Sequence, residues 1–390
     1  MTKNWIQTTL TIIILFGITT MLYLYTSGYR LNRSSSEEEL NVKVTGMIGA
    51  KSIPEGANIY VNGELMNATD ATVPALEPGK YELKIAKNGF VPWAKEVEVY
   101  KELVTDITAV LISQSPRLEP LTNTGARFPT ISPTLSKLAF FSKDAASPGV
   151  WVIPLEDSRL SLFRSNAENV LEDTFYNIYS NGKNIEWSPD ERQLLIEIAG
   201  STEEAPSQYY IVDLTTNTAL VTYTPDIIRQ EWVEELTQKR EDFIVSIDIP
   251  EEMAVIAIHE DTVWAPDNKK FLYKREVEDR IEYRVYNMEK PIPVGEKKDT
   301  LVFTTLKSDV QPEVTWYSDS FHLILVENYS IENARGIVNM IRIDGTNKTE
   351  VYNSALFSDQ VYSAPGGDKL IIVTSFKSGD QTDLYTLGIR

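Results

Sequence analysis

The stretch Trp187-Ser188-Pro189-Asp190, followed by Leu194-Leu195-Ile196, decides the fold of the larger part of this chain, because it recurs. It returns as Trp264-Ala265-Pro266-Asp267 with Phe271-Leu272-Tyr273, and as Trp316-Tyr317-Ser318-Asp319 with Leu323-Ile324-Leu325. Ser363-Ala364-Pro365-Gly366 with Leu370-Ile371-Ile372 is a later copy, and Ile131-Ser132-Pro133-Thr134 with Leu138-Ala139-Phe140-Phe141 an earlier one. In every copy the apolar strand begins seven positions after the motif starts. Proline presets φ and aspartate closes a tight turn through its own backbone, so each copy reads strand, turn, strand. A second alternating strand follows each copy: Val150–Ile153, Tyr210–Asp213, Tyr283–Tyr286, Met340–Ile343 and Leu384–Leu387.

Motif starts lie 56, 77, 52 and 47 residues apart. One four-stranded blade takes about 40–50 residues, and radial stacking buries both faces of each sheet. The repeat therefore predicts a C-terminal β-propeller of five to six blades over residues 115–390, with segment 115–128 supplying a closing strand. Trp187, Trp264 and Trp316 fall at equivalent places and are expected in the packing between blades. In the longest gap, Pro225-Asp226 opens a stretch with Ile228, Trp232 and Leu236 at helical spacing. A helical excursion is expected there; a degenerate sixth blade over 215–262 is the alternative. The motif resembles the TolB-type propeller repeat, whose blades carry Trp-Ser-Pro-Asp-Gly, with Glu191, Asn268 or Ser320 here at the glycine position.

Upstream, residues 44–112 read as a small β-sandwich. Ala57, Ile59 and Val61 alternate with Asn58, Tyr60 and Asn62, so one face is buried. Asn62-Gly63 is a two-residue hairpin signal, since both positions tolerate φ > 0. Pro78-Gly79 turns the chain into Tyr81–Ile85, Asn88-Gly89 ends that strand, and Ile107, Ala109 and Leu111 mark one face of the last. The run Ser52-Ile53-Pro54-Glu55-Gly56-Ala57-Asn58-Ile59-Tyr60-Val61-Asn62-Gly63 resembles the signature of PEGA domains. Leu76–Tyr81 and Lys87–Phe90 resemble the second half of that family, although Thr69-Asp70 stands where Thr-Pro is usual. The resemblance implies a bacterial envelope binding module and brings no catalytic residues with it.

No residue from Asn4 to Tyr29 is charged, and Trp5 to Tyr25 is mostly apolar, including Leu10, Ile12–Phe16, Ile18, Met21, Leu22 and Leu24. About 20 helical residues cross about 30 Å of hydrocarbon. Residues 1–29 are expected to be a short cytoplasmic tail and one transmembrane helix, with Trp5, Tyr23, Tyr25 and Tyr29 as interfacial aromatics. Thr26-Ser27-Gly28-Tyr29-Arg30 lacks an Ala-x-Ala-like site, so the segment reads as an uncleaved anchor. Residues 30–43, with Ser34–Glu39, read as a solvated linker. The localisation expected is a single-pass cell-membrane protein whose C-terminal domains lie outside the cytoplasm.

A formal net charge of −19 disfavours nucleic acid as a partner, because phosphate backbones are repelled. The absence of cysteine excludes disulfides, thiolate metal sites and cysteine catalysis. The two histidines, His259 and His322, lie in or beside strand-like runs with no metal-ligand spacing. No Gly-x-Ser-x-Gly elbow and no phosphate-binding Gly-x-x-x-x-Gly-Lys loop occurs. Asp344-Gly345-Thr346-Asn347 lacks a calcium-loop ladder, and Glu251-Glu252 after Pro250 read as a solvated turn. Trp93 stands on a loop-like stretch after Val91-Pro92, as a core residue or a ligand contact. No residue is assigned to catalysis, cofactor or metal, and no cofactor is expected. The function expected is a membrane-anchored binding or scaffold protein of the envelope, not an enzyme, whose propeller faces an envelope protein or a cell-wall polymer. A propeller-based lyase or glycosidase and a structural cell-wall tether are the alternatives.

Overall fold

The computed structural model describes residues 2–26, 29–33, 40–155, 167–200, 205–376 and 381–390. The side chains of residues 2–7, 24–26, 29–33 and 40–43 lie outside that description, and so do residues 34–39, which were expected within a solvated linker. Two compact units result, one of residues 1–111 with 291–296, the other of residues 112–290 with 297–390.

The first unit opens with helix α1 (Thr2–Thr26). Its described side chains, Thr8 to Tyr23, are all exposed. Thr19 and Thr20 donate their hydroxyls to the carbonyls of Leu15 and Phe16, each at 2.8 Å, so these polar groups are satisfied within the helix. Among the described residues no helix is long and apolar enough to cross a membrane. The described side chains of Trp5–Tyr25 do not extend to Trp5 or Tyr25 themselves. Strands β1 (Tyr29–Arg33) and β2 (Leu40–Val44) pair antiparallel with Tyr29 opposite Val44.

The sandwich follows: β3 (Gly46–Ile53), β4 (Asn58–Val61), β5 (Glu64–Ala68), β6 (Ala71–Leu76), β7 (Gly79–Ala86), β8 (Trp93–Val99) and β9 (Val104–Val110). One sheet has the order β6-β3-β9, with β3 and β9 parallel; the other has the order β5-β4-β7-β8. Alternation places Ile48 and Ala50 from one sheet against Ile59, Val61, Leu83, Ile85 and Val97 from the other, all buried. Asn62 and Gly63 both take φ > 0, at 49° and 84°, as a tight hairpin turn requires. The Pro54-Glu55-Gly56 turn is held from Thr69. Its Oγ1 contacts Ser52 Oγ at 2.5 Å and accepts from Ala57 N at 2.9 Å, and its carbonyl accepts from Gly56 N. Trp93 lies in β8 and is 2% exposed within this core, so it is not a surface ligand contact.

Among its described residues the second unit is built of five open four-stranded sheets. After β10 (Arg117–Pro120), blade one is β11 (Arg127–Ile131), β12 (Lys137–Ser142), β13 (Gly149–Pro154) and β14 (Glu168–Glu172). Blade two is β15 (Gly182–Trp187), β16 (Gln193–Ile198), β17 (Gln208–Asp213) and β18 (Thr218–Thr222). Helices α2 (Pro225–Val245) and α3 (Glu251–Ile258) come next. Blade three is β19 (Val263–Trp264), β20 (Lys270–Val277), β21 (Arg280–Asn287) and β22 (Asp299–Leu306). Blade four is β23 (Glu313–Trp316), β24 (His322–Ser330), β25 (Arg335–Arg342) and β26 (Thr349–Ala355). Blade five is β27 (Tyr362–Ser363), β28 (Lys369–Thr374) and β29 (Asp383–Gly388), completed by β10 on its outer edge.

Apolar packing joins the blades face to face. Phe141 and Val150 of blade one meet Ile185 and Ile196 of blade two; Leu272 and Val285 of blade three meet Trp316 and Leu323 of blade four. Leu138 and Phe140 of blade one pack with Ile371 and Val373 of blade five, and Tyr362 donates to the Pro129 carbonyl at 3.0 Å, which closes the ring. Gly182 is needed at one such contact, since a Cβ there would lie 2.0 Å from the Phe141 ring.

The helical pair stands between blades two and three. Arg229 of α2 grips Glu186 of blade two with Nε and Nη2 at 2.8–3.0 Å, while Ile244 and Ala257 pack with Phe271, Tyr273 and Tyr286 of blade three. Residues 225–245 and 251–258 are therefore helical where a degenerate sixth blade was the alternative, and the described residues form five blades.

Candidate interaction face

All strands within a blade are antiparallel, so connections alternate between the two ends of the ring. The motif turns and the links from third to fourth strand lie at one end. The links from second to third strand, and those from each blade to the next, lie at the other.

At the motif-turn end, hydrogen bonds run from blade to blade. The fifth residue of every motif takes a left-handed conformation: Leu135, Glu191, Asn268, Ser320 and Gly367, with φ between 55° and 62°. This is the position at which glycine is usual in the resembling repeat, and glycine tolerates it best. Two of the residues in its place reach across to a neighbouring blade. Glu191 accepts from Thr134 N at 2.6 Å and Ser136 Oγ at 3.2 Å in blade one; Ser320 Oγ accepts from Asp267 N at 3.1 Å in blade three. Burial opposes ionisation of Glu191, but hydrogen bonds from Thr134, Ser132 and Ser136 outweigh it and hold the carboxyl below its ordinary value. Blade five keeps glycine because a Cβ on Gly367 would meet Arg390, Ser318 and Tyr317 within 3 Å.

The motif aspartates close their own turns. Asp190 Oδ1 accepts from Ser188 Oγ at 2.7 Å and Arg192 N at 3.1 Å; Asp267 Oδ1 accepts from Lys269 N at 2.8 Å. Asp267 also takes an ion pair at 2.8 Å from Lys270, a fully buried lysine that contacts Glu289 at 3.1 Å and lies 4.1 Å from the centre of the Phe321 ring. Asp319 meets the ring of His322, 2.6 Å from Oδ2 to Nδ1, and accepts from the amides of Phe321 and His322. Burial works against the charge of Asp319, yet the charge and hydrogen bond of His322 keep its carboxyl below the usual range. His322 is a buried, satisfied histidine, whereas the side chain of His259 is largely exposed and 3.5 Å from Asp261. Asp344 turns back on Thr346, and Glu251 and Glu252 sit exposed in the first turn of α3. Among the described residues no group of three or more His, Cys, Asp or Glu side chains could hold a metal ion.

The opposite end differs in kind. Phe175 and Tyr176, between blades one and two, are 94% and 89% exposed, and Tyr223, between blade two and α2, is 89% exposed. Val310 and Ile331 stand 82% and 81% exposed around blade four, with Phe357 and Phe376 also exposed at the links of blades four and five. Among the described residues of the motif turns and the third-to-fourth-strand links, no large apolar side chain is exposed. The Phe175 turn is fixed from within. Thr174 N donates to Asn177 O at 2.9 Å, Asn177 N to Thr174 Oγ1 at 3.0 Å, and Asp173 receives Ser180 N and Oγ at 2.8 and 2.6 Å. The two rings meet edge to face, with centroids 5.2 Å apart. Acidic groups flank the exposed apolar side chains around blade four: Asp309, Glu313, Glu332 and Asp359 border Val310, Ile331 and Phe357 along the chain. Burial raises the carboxyl of Glu313 above its ordinary value; the Gln360 hydrogen bond opposes that, and the charge of Asp359 reinforces it. Such a surface buries apolar area and excludes water when a partner covers it. The sequence did carry a signal for Phe175-Tyr176, two aromatics between the turn formers Asp173-Thr174 and Asn177, but exposure is not a property of residue type.

Comparison with known proteins fits the first unit most firmly. Residues 45–114 match the PEGA domain family model. No curated protein matches the chain. Among solved structures, TolB from Acinetobacter baumannii is similar at 14% identity over 80% of this chain and 60% of its own length, with a TM-score of 0.27. The β-propeller domain of the Trilobed protease from Pyrococcus furiosus is similar at 14% identity over 88% and 82%, with a TM-score of 0.22. An oligogalacturonate lyase in complex with manganese matches at 16% identity over 70% and 66%, with a TM-score of 0.25. Likeness this loose carries no argument, and the propeller rests on strand order and ring closure. The chain thus carries a PEGA domain at residues 45–114, followed by a ring of five four-stranded blades.

Proposed function

We propose that this chain is a membrane-anchored, extracytoplasmic binding protein of the cell envelope, and that the aromatic end of its propeller is the surface that captures an envelope protein or cell-wall polymer. One observation carries the reading: the exposed aromatic side chains gather on the links at one end of the ring, while the motif-turn end spends its polar groups on holding the blades together. The PEGA domain that precedes the propeller in the chain supports a binding role, since the resemblance brings no catalytic residues with it. An anchoring role for α1 is supported by Leu10, Ile12, Ile13, Ile14, Leu15, Phe16, Ile18, Met21 and Leu22, each more than half exposed and together covering every side of the helix. A helix apolar all round is a helix that something apolar surrounds.

The binding reading is tested with the full chain, in detergent, against envelope extracts and isolated cell wall. Replacing Phe175, Tyr176 and Tyr223 with serine is expected to abolish retention while leaving thermal unfolding unchanged, because these rings contribute almost no buried area. Retention that survives these changes together with Phe357→Ser and Phe376→Ser sinks the proposal. For the anchor, reporters fused after Arg390 are expected to be active outside the cytoplasm; activity confined to the cytoplasm overturns the topology.

A further inference from the structure

We infer that the partner reaches the aromatic end as a basic polypeptide segment, seated over blade four with its cations against Glu313 and Asp359 and its apolar side chains against Val310, Ile331 and Phe357. The inference rests on the binding role proposed above and narrows it to a class of partner. Three consecutive links converge around this one blade: residues 307–312 lead into β23, residues 331–334 join β24 to β25, and residues 356–361 lead out to β27. Each presents a large apolar side chain to solvent, Val310, Ile331 and Phe357. Each also carries or borders a carboxylate. Asp309 and Glu332 are exposed at the rim, and Asp359 and Glu313 are half-buried further in.

The cations nearby do not balance this set. Lys307 is already committed to Glu276 at 2.6 Å. Lys274, 5.5 Å from the centre of the Tyr283 ring, acts on Glu313 by its charge, and with Arg335 it is outnumbered by the four carboxylates. Neighbouring polar groups are turned inward: Tyr283 Oη donates to Gln311 at 3.2 Å, Gln311 donates to the carbonyls of Leu306 and Asp309, and Tyr362 donates to Pro129. The half-buried pair Glu313 and Asp359 gains from an external cation, because partial burial weakens solvent screening of the attraction. An anionic cell-wall polymer meets the same carboxylates as like charge, and a neutral glycan draws nothing from them. A chain that alternates cationic and apolar side chains satisfies both halves of the surface.

The test uses the full chain in detergent and three fluorescein-labelled peptides of equal length, one of lysine and leucine, one of glutamate and leucine, one of lysine and serine. Anisotropy is expected to show the lysine–leucine peptide binding at least about tenfold more tightly than either other peptide, with affinity falling as salt rises. The double variant Glu313→Gln, Asp359→Asn is expected to weaken it by about tenfold, and Val310→Ser with Ile331→Ser to weaken it comparably. Glu251→Gln with Glu252→Gln on α3 removes the same number of charges away from this surface and is expected to leave binding unchanged. Equal binding of the glutamate peptide, or equal losses in both charge variants, overturns the inference. If the serine variants of Phe175 and Tyr176 abolish retention of the envelope ligand while the Glu313 and Asp359 variant retains it, the basic-segment inference fails and the binding role stands. If neither set affects retention, both fail.

Discussion

The indole Nε1 of Trp264 donates to the carbonyl of Ala257 at 2.8 Å. Trp187 makes the matching bond to Thr130 at 3.2 Å and Trp316 to Val263 at 2.9 Å, each to the inner strand of the preceding blade. Ala257 belongs to α3. The helical pair therefore offers blade three the acceptor that a preceding blade offers elsewhere, and the ring stays continuous across its longest insertion.

Removing these indoles tests the equivalence. Trp316 is buried, and Trp316→Ala is expected to cost about 3–5 kcal/mol in denaturant unfolding. Trp187 and Trp264 keep partial exposure, so their alanine variants should fall at or below the lower end of that range. Trp264→Phe keeps the packing against Phe243 and Phe271 and loses the bond to α3, for about 1 kcal/mol. A Trp264→Phe loss as large as that of Trp316→Ala contradicts the shared role.

The motif aspartates, expected from sequence to be equal turn formers, should separate. Asp190→Ala loses a turn hydrogen-bond set worth about 1 kcal/mol. Asp267→Ala leaves the fully buried Lys270 with Glu289 as its remaining carboxylate, a loss of roughly 3–5 kcal/mol. Adding Lys270→Met should recover part of that loss, since the buried charge is then gone. Equal melting temperatures for the two single variants would show that Lys270 does not depend on Asp267.

Glu191 occupies a left-handed position and also clamps blade one. Glu191→Ala keeps the backbone strain and loses the clamp; Glu191→Gly relieves the strain by about 1 kcal/mol but still lacks the clamp. The expected order of unfolding midpoints is wild type, then glycine, then alanine. A glycine variant above wild type would mean that the contacts to Thr134 and Ser136 are worth less than the strain that glycine relieves, about 1 kcal/mol.

Acid should loosen the ring. The carboxyls of Asp319 and Glu191 lie below their ordinary values of 3.8 and 4.5 in the folded protein. A carboxyl lowered by folding stabilises fully above its unfolded value, and that stability is lost as pH falls from there through the folded value. Unfolding followed at stepwise lower pH should therefore show stability falling below about pH 4.5. The slope should be shallower in Glu191→Gln and in Asp319→Asn. Identical slopes in wild type and both variants would remove these two groups from the acid response.

In the sandwich, Thr69→Val deletes the hydroxyl shared by Ser52 and Ala57 while keeping shape, for about 1–3 kcal/mol. The fragment of residues 44–111 is expected to unfold cooperatively but with a small margin, as a domain of about 70 residues does. Circular dichroism melting of the fragment, with and without Thr69→Val, checks both statements.

The recurrence of Trp187-Ser188-Pro189-Asp190 and the alternation of Ala57, Ile59 and Val61 are local patterns, and local patterns determine strands, turns and which face is buried. The blades, the hairpin at Asn62-Gly63 and the helix from Pro225 follow from them. Trp93 follows less directly: the core is the favoured reading over a ligand contact and the structure bears it out, but nothing local decides it until the facing sheet covers the ring. Nor could sequence separate Asp190 from Asp267, since Lys270 is an ordinary surface residue until Glu289 and Phe321 close around it. The aromatic end was equally hidden. Phe175, Tyr223, Ile331 and Phe357 are separated by tens of residues, and only the alternating strand direction of a closed ring brings their links to one side. Sequence determines what each segment can form; the ring decides which segments share a surface, because strand pairing and blade packing join residues far apart along the chain.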